Sequence, residues 1–193
     1  MKETNEKLET LLTALDAQPI AASVKNDAEL ELALKSDVKV VFLLYSTILT
    51  VGPLIERIRQ AGKLAFVHLD MVEGLAPKEV AVDFIAQTTR ADGIISTKAA
   101  LTRRGRELGL VSIQRFFLLD SMAMQSVAQF SRGAADLVEV LPGLMPKIIR
   151  QVADSTGKPV IAGGLIQDKE DVITALSAGA VAVSATNPQV WAL

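Results

Sequence analysis

Short apolar runs alternate with amphipathic stretches along almost the whole chain, and a glycine often marks the change from one to the other. Gly62, Gly109, Gly157 and Gly179 each end a helical pattern directly before an apolar run. Glycine adopts the left-handed conformation that follows a helix at little cost, so each of these glycines predicts a helix-to-strand connection. The repeating unit is therefore a strand and a helix.

Eight apolar runs are predicted to be strands. Most are continuous rather than alternating, which is typical of a parallel sheet covered on both faces. The predicted strands are residues 20–24, 38–46, 64–70, 93–98, 111–120, 137–142, 159–163 and 180–184. The helices predicted to follow them are residues 27–35, 51–61, 77–89, 99–108, 121–131, 144–155 and 168–178. This alternation predicts an α/β fold, a compact (β/α)8 barrel of the TIM type without a full eighth helix.

The N-terminal segment is predicted to be an additional helix. Four leucines are spaced so that they share one helix face: Leu8, Leu11, Leu12 and Leu15. This face is expected either to close the bottom of the barrel or to fill the missing eighth helix position. We predict a single domain over residues 1–193, with the helix at 1–16, the barrel at 19–188 and a tail at 189–193. Trp191 is expected to dock this tail against the barrel. A doubly wound open sheet is the alternative, although it usually needs only five or six strands.

Composition narrows the class of protein. A chain of 193 residues, half of them hydrophobic, buries a full core as one domain. The absence of cysteine excludes disulfides, thiolate zinc sites and a cysteine nucleophile. The sequence has neither a signal-peptide pattern nor an apolar run long enough to cross a membrane, so we expect a cytoplasmic, soluble protein. The net charge of −2 does not indicate nucleic-acid binding by the chain as a whole, so RNA binding would need a local patch.

Small residues follow the last two predicted strands. Gly163 and Gly164 close the seventh strand, and Ser184 and Asn187 lie at and just after the end of the eighth. Adjacent glycines let backbone N–H groups approach an anion, and the last two strands of a barrel are a frequent site for phosphate. The pattern predicts a small phosphorylated ligand. A packing or bulge role for the glycine pair is the alternative.

Polar residues also lie at or near the ends of other predicted strands, and in a barrel the carboxyl ends of the strands surround one open end, the mouth. His68, Asp70 and Lys98 lie at strand ends, whereas Arg115 and Glu139 lie within the fifth and sixth strands. Period-two geometry would put His68 and Asp70 on the same strand face. Buried charges are costly unless they pair with each other, bind a ligand or reach water. His68 could instead be a core residue, and Arg115 and Glu139 a structural ion pair. Asp70 and Glu139 have no metal-ligand spacing, so no metal site is predicted.

Basic residues cluster on the fourth predicted helix, where Arg103, Arg104 and Arg106 are the candidate contacts for nucleic acid. A run of charges on an exposed helix is also typical of a surface that only meets solvent. The cluster is therefore a weak indication of RNA binding.

Taken in order, these motifs resemble the glycerol uptake operon antiterminator regulatory proteins. The resembling segments are residues 68–70, 73–75, 92–98, 114–121, 139–143, 162–166 and 180–184, followed by Asn187 and Trp191. The resemblance implies a barrel that responds to glycerol-3-phosphate, binds leader mRNA and permits transcription through a terminator. It implies no catalysis and no cofactor, and the hypothesis allows a homo-oligomer.

The resemblance also implies a ligand mouth. Its residues would be His68, Asp70, Lys98, Arg115, Glu139, Gly163, Gly164, Ser184 and Asn187. We assign Gly163, Gly164 and Ser184 to the phosphate, because small residues with backbone donors suit an oxyanion. The carboxylate of Asp70 or Glu139 would accept hydrogen bonds from the glycerol hydroxyls, and Lys98 or Arg115 would supply the countercharge.

An enzyme is the alternative function. A barrel lyase, isomerase or phosphodiesterase acting on a small phosphorylated substrate would use His68 or Glu139 for proton transfer and Lys98 as an electrophile or Schiff base. The fold alone does not decide between an enzyme and a regulator.

Overall fold

The computed structural model of the chain describes residues 2–130 and 133–193, with side chains described from Glu6 onward. The strands are β1 (Ile20–Val24), β2 (Val40–Leu43), β3 (Ser46–Thr47), β4 (Leu64–His68), β5 (Val72–Glu73), β6 (Gly93–Ser96), β7 (Val111–Phe117), β8 (Leu137–Leu141), β9 (Val160–Gly163) and β10 (Ala182–Ala185). The helices are α1 (Lys2–Ala17), α2 (Asp27–Lys35), α3 (Val51–Gln60), α4 (Glu79–Thr88), α5 (Ala99–Glu107), α6 (Ser121–Ala128), α7 (Pro146–Thr156), α8 (Lys169–Ser177) and α9 (Pro188–Trp191), with a 3-10 helix at Leu69–Met71.

Eight of the strands close into a parallel barrel. Around the barrel they follow the order β1, β2, β4, β6, β7, β8, β9 and β10, and β10 pairs back onto β1. The remaining two strands, β3 and β5, form a separate two-stranded sheet that joins the loops after β2 and β4. The predicted (β/α)8 fold is therefore confirmed. None of the helices in the described residues is both long and apolar enough to span a bilayer.

The N-terminal helix α1 closes the bottom of the barrel. Its buried Leu11 and Leu15 belong to the same cluster as the inward-facing side chains of the strands, among them Phe42 and Phe66, whose ring centroids lie 5.8 Å apart. The structure thus selects the first of the two positions that the leucine spacing left open. This packing leaves the opposite, carboxyl end of the barrel as the open end.

The eighth helix position is filled by α9, which is a single turn, as expected for a barrel without a full eighth helix. Trp191 is buried there and its Nε1–H donates to the Ala185 carbonyl at 2.8 Å. Trp191 therefore anchors the end of the described chain against β10. The helices cover the outside of the barrel through a second, larger apolar cluster.

The predicted helix-to-strand glycines have the expected backbone conformation. The φ angles of Gly62, Gly109, Gly157 and Gly179 are +72°, +79°, +61° and +101°. A side chain at these positions would be strained, so the glycines give each connection its shape.

The strand ends differ from the predictions. The run at 64–70 leaves the sheet after His68, and Asp70 lies in the 3-10 helix, so the two side chains do not share a strand face. The run at 111–120 ends at Phe117, because Asp120 caps α6 by accepting from the Ala123 N–H at 2.8 Å. Short polar side chains here bond to loops and helix ends, which ends the strand earlier than hydrophobicity suggests.

The run predicted as one strand at 38–46 is divided. It forms β2 and, after Leu44 and Tyr45, contributes Ser46 to the short strand β3. Two predicted positions lie outside the described residues, namely Met1 of the N-terminal helix and Ser131 of the helix predicted at 121–131.

Candidate functional site

A buried ion pair lies under the open end of the barrel. Arg115 on β7 is in register with Glu139 on β8, and its Nε donates to Glu139 Oε2 at 2.6 Å. The other carboxylate oxygen accepts from Ser184 Oγ, also at 2.6 Å. Glu139 is 0% exposed and Arg115 is 7% exposed. The pair is the structural ion pair that the sequence left as an alternative, and both charges are satisfied within the protein.

Gly163 makes room for this pair. A Cβ atom on Gly163 would lie 2.4 Å from Ser184 Oγ and 2.8 Å from Glu139 Oε1, distances that real Cβ atoms do not tolerate. The carboxylate and the hydroxyl therefore occupy the space that a side chain would need. The side of Gly163 that lacks a side chain faces Ser184 and Glu139. Its contact with a phosphate therefore stays a prediction.

A cavity of about 80 Å³ lies beside the ion pair, and we call it the small pocket. Its lining includes Arg115, Gly164, Leu165 and Ser184. This volume holds more than one water molecule and so admits a small oxyanion. The site thus combines a buried guanidinium with a tight turn of backbone.

The turn that forms this lining has unusual geometry. Gly164 and Leu165 both have positive φ, +75° and +63°, and no other non-glycine among the described residues does. Such strain costs about 1–3 kcal/mol and concentrates at functional sites. The sequence indicated Gly164 as a site residue but not Leu165, because nothing in the local sequence predicts a positive φ for a leucine; its side chain is 63% exposed.

His68 lies within the same polar layer. Its side chain is 3% exposed, and its Nδ1 has no hydrogen-bond partner among the residues that the structure describes. Burial and the nearby positive charge of Arg115 lower its pKa to about 4, although Glu139 and Asp70 act in the opposite direction. The imidazole is therefore neutral near pH 7, with a ring nitrogen free for a ligand.

Asp70 and Lys98 form a second ion pair nearer the surface. The Asp70 carboxylate accepts from the Thr97 N–H at 2.7 Å, from the Ser96 hydroxyl at 3.0 Å and from Lys98 Nζ at 3.3 Å. Burial opposes ionisation of Asp70, but the hydrogen bonds from Thr97 and Ser96 outweigh it and lower the pKa of the carboxyl group. Asp70 is thus an ionised acceptor held at the mouth.

A cavity of about 500 Å³ opens between the loops after β2 and β4, and we call it the large pocket. Asp70 lines it together with Glu73, which lies in the resembling segment 73–75. The motifs did not indicate its other polar side chains, Tyr45, Ser46, Thr47 and Thr50. Leu44 lines both pockets, so the two cavities are neighbours.

Asn187 ties two mouth loops together. Its Oδ1 accepts from the Gln189 N–H at 3.0 Å and so caps α9, and its Nδ2 donates to the Gln167 carbonyl at 3.0 Å. Both ends of its amide are already used by the protein. Its predicted contact with a ligand stays a prediction.

The candidate RNA residues lie on α5 and differ in their partners. Arg104 pairs with Asp83 at 2.7 Å and Glu107 at 3.0 Å, and Arg106 pairs with Asp136 at 2.7 Å. Arg103 is exposed and has no ion pair within the described part of the chain. Arg103 is therefore the cation of this cluster that is most available to a partner.

Comparison with known proteins identifies relatives over nearly the whole chain. Residues 20–191 match the family described as glycerol-3-phosphate responsive antiterminator. The protein called uncharacterized protein YgcP from Escherichia coli (strain K12) is 42% identical over 184 residues, which cover 95% of this chain and 96% of that protein.

Two solved structures are also similar. The glycerol uptake operon antiterminator regulatory protein of Listeria monocytogenes str. 4b F2365 matches with a TM-score of 0.87 at 31% identity, covering 90% of this chain and 95% of that chain. A glycerol uptake operon antiterminator-related protein of Thermotoga maritima MSB8 matches with a TM-score of 0.78 at 32% identity, covering 90% and 98%.

Proposed function

The chain belongs to the glycerol-3-phosphate responsive antiterminator family, and on this premise we propose that it binds glycerol-3-phosphate and then leader mRNA of glycerol-metabolism genes. Binding to the RNA would prevent termination of transcription. The main observation in support of glycerol-3-phosphate binding is the small pocket, which buried Arg115 lines together with the strained turn at Gly164 and Leu165.

The phosphate would occupy the small pocket. Arg115 offers a positive charge in a largely buried setting, where a charge-assisted hydrogen bond to an oxyanion is strong. The left-handed turn at Gly164 brings backbone close to the pocket, as anion-binding turns do. Ser184 lines the pocket, but its hydroxyl hydrogen is engaged by Glu139, so toward a ligand its oxygen acts as an acceptor.

The glycerol hydroxyls would be bound by acceptors at the mouth. The ionised Asp70 carboxylate accepts from hydroxyl donors, and Lys98 balances its charge. The free Nδ1 of neutral His68 adds a further polar partner. Glu139 would act indirectly, by holding Arg115 in place.

Ligand and RNA binding must be coupled for the protein to act as a switch. Glycerol-3-phosphate changes RNA binding only if it binds the RNA-competent state better than the other state. We assign the RNA contact to the face of α5 that presents Arg103. A protein that acts on nascent RNA works where transcription takes place, which in bacteria is the cytoplasm.

A regulator is favoured over a barrel enzyme. A Schiff-base lysine must present its amine to the substrate carbonyl, whereas Lys98 Nζ is engaged by the Asp70 carboxylate at 3.3 Å. Family membership points in the same direction. Absence of turnover of glycerol phosphates, together with measurable binding, would support the regulator.

Calorimetry with glycerol-3-phosphate tests the ligand half of the proposal. In Gly164→Val the added side chain meets Leu141, whose Cδ2 would lie 3.2 Å from the new Cβ, and strains the turn, so we expect at least tenfold weaker binding. Gly179→Val is the matched control, since it imposes the same kind of strain at φ +101° in open space. Wild-type affinity in a folded Gly164→Val protein would contradict the small pocket as the phosphate site.

Leader-RNA binding with and without saturating glycerol-3-phosphate tests the regulatory half. We expect the ligand to raise RNA affinity several-fold, since typical coupling changes affinity about 5- to 150-fold. Equal RNA affinity in both conditions would exclude a ligand-driven switch.

A further inference from the structure

The large pocket is larger than glycerol-3-phosphate needs. It measures about 500 Å³, against about 80 Å³ for the small pocket, and the two share Leu44 as a common wall. Cavities of about 300–1,000 Å³ usually hold complete small molecules. The three-carbon alcohol of glycerol-3-phosphate would leave most of this space to water.

The large pocket is built on a feature that the barrel does not require. Strands β3 and β5 pair Ser46 with Val72 and Thr47 with Glu73, and the Ile48 N–H donates to the Glu73 carbonyl at 2.8 Å. These bonds fix the loops after β2 and β4 against each other. A site preorganised in this way loses less entropy when it binds.

The polar part of the large-pocket lining suits hydroxyl groups, while Leu44, Met71 and Val72 form its apolar part. It carries two carboxylates, Asp70 and Glu73, and the hydroxyl side chains of Tyr45, Ser46, Thr47 and Thr50, with neither lysine nor arginine. Carboxylates accept hydrogen bonds from alcohols and repel a second phosphate. Burial and the hydrogen bond to Asp27 raise the pKa of Tyr45, so its phenol keeps its proton.

Resting on the function proposed above, we infer that the effector site accepts polyol monophosphates longer than glycerol-3-phosphate. The phosphate occupies the small pocket, and the hydroxylated chain passes over Leu44 into the large pocket. Additional hydroxyls then bind Glu73 and the hydroxyl side chains of the β3 loop. The specificity of the site is for phosphorylated sugar alcohols as a class, with the three-carbon compound as its shortest member.

Calorimetry with a series of ligands tests this inference on the intact protein. The series is inorganic phosphate, glycerol-3-phosphate, ribitol 5-phosphate and sorbitol 6-phosphate, with hexyl phosphate as a chain of similar length without hydroxyls. We expect at least tenfold tighter binding of the five- or six-carbon polyol phosphate than of glycerol-3-phosphate, because each net hydrogen bond adds a few-fold in affinity.

The variant Glu73→Ala tests whether the additional hydroxyls bind in the large pocket. Its exposed side chain lines the large pocket, while its backbone holds the β3–β5 sheet, so the truncation leaves that pairing intact. We expect a loss of at least fivefold in affinity for sorbitol 6-phosphate and no change for glycerol-3-phosphate. Glu9→Ala makes the same charge change on α1, at the opposite end of the barrel, and should leave both affinities unchanged.

The outcomes separate this inference from the function on which it rests. If glycerol-3-phosphate binds but the longer polyol phosphates bind no better, the inference is wrong and the proposed function stands. Tighter binding of hexyl phosphate than of the polyol phosphates would also overturn it. If no compound in the series binds, the proposed function itself fails.

Discussion

Glu139 is the residue on which the interior of the mouth depends. Its two oxygens accept from Arg115 and Ser184, and no part of it reaches solvent. Glu139→Gln keeps the shape but leaves the Arg115 charge buried without a countercharge, so we expect a loss of about 3–5 kcal/mol in the free energy of unfolding. Urea denaturation measures this loss in unfolding free energy. The double variant Arg115→Met/Glu139→Leu should lose less than the single one; a single-variant loss below about 1 kcal/mol would contradict the buried pair.

His68 gives the stability a defined pH dependence. Its pKa is about 4 in the folded protein and about 6.5 when unfolded, so between these values the unfolded chain binds the extra proton and stability falls as pH falls. From pH 7 to pH 5 we expect a loss of about 2 kcal/mol from this residue. His68→Gln, which removes the only histidine of the chain, should flatten that slope in urea titrations. An equally steep slope in the variant would assign the effect to other groups.

Among the secondary-structure elements, helix α1 closes the bottom of the barrel. Leu11 is completely buried among inward-facing strand residues, so Leu11→Ala should leave a cavity and cost about 2–5 kcal/mol of unfolding free energy. Thr13→Ala, on the exposed face of the same helix, should change stability by less than about 0.5 kcal/mol. Equal effects in thermal or urea denaturation would show that α1 is not part of the cooperative fold.

The barrel strands could be predicted from the sequence, whereas several contacts of the candidate site could not. Continuous apolar runs and the glycines before them predict the barrel strands, because burial on both faces and positive φ each leave a local trace. The pairing of Arg115 with Glu139 depends on the register between β7 and β8, which local sequence leaves open. The β3–β5 sheet joins two-residue segments without a hydrophobic pattern, so the large pocket could not be predicted. Leu165 was missed because its conformation follows from the turn.

Across the whole molecule, a ligand that binds only the folded state stabilises the entire barrel. At a glycerol-3-phosphate concentration one hundred times its Kd, the stabilisation is about 2.7 kcal/mol, and for a chain of this size we expect Tm to rise by about 5–10 °C. Differential scanning fluorimetry measures the shift. Glycerol without phosphate is the control and should have no comparable effect; an equal shift with glycerol would indicate a solvent effect rather than binding at the mouth.

The charge distribution of the molecule limits how RNA binds. The net charge is −2, and Arg104 and Arg106 already pair with carboxylates, so few cations of the α5 cluster are available to phosphates. For single-stranded RNA the logarithm of affinity falls with the logarithm of salt by about 0.7 per phosphate contacted, and we expect a total slope no steeper than about −2. Arg103→Ala should reduce the slope by roughly one contact. Arg90→Ala removes another exposed arginine outside α5 and should leave it unchanged. A steep slope that Arg103→Ala does not alter would place the RNA on another face of the barrel.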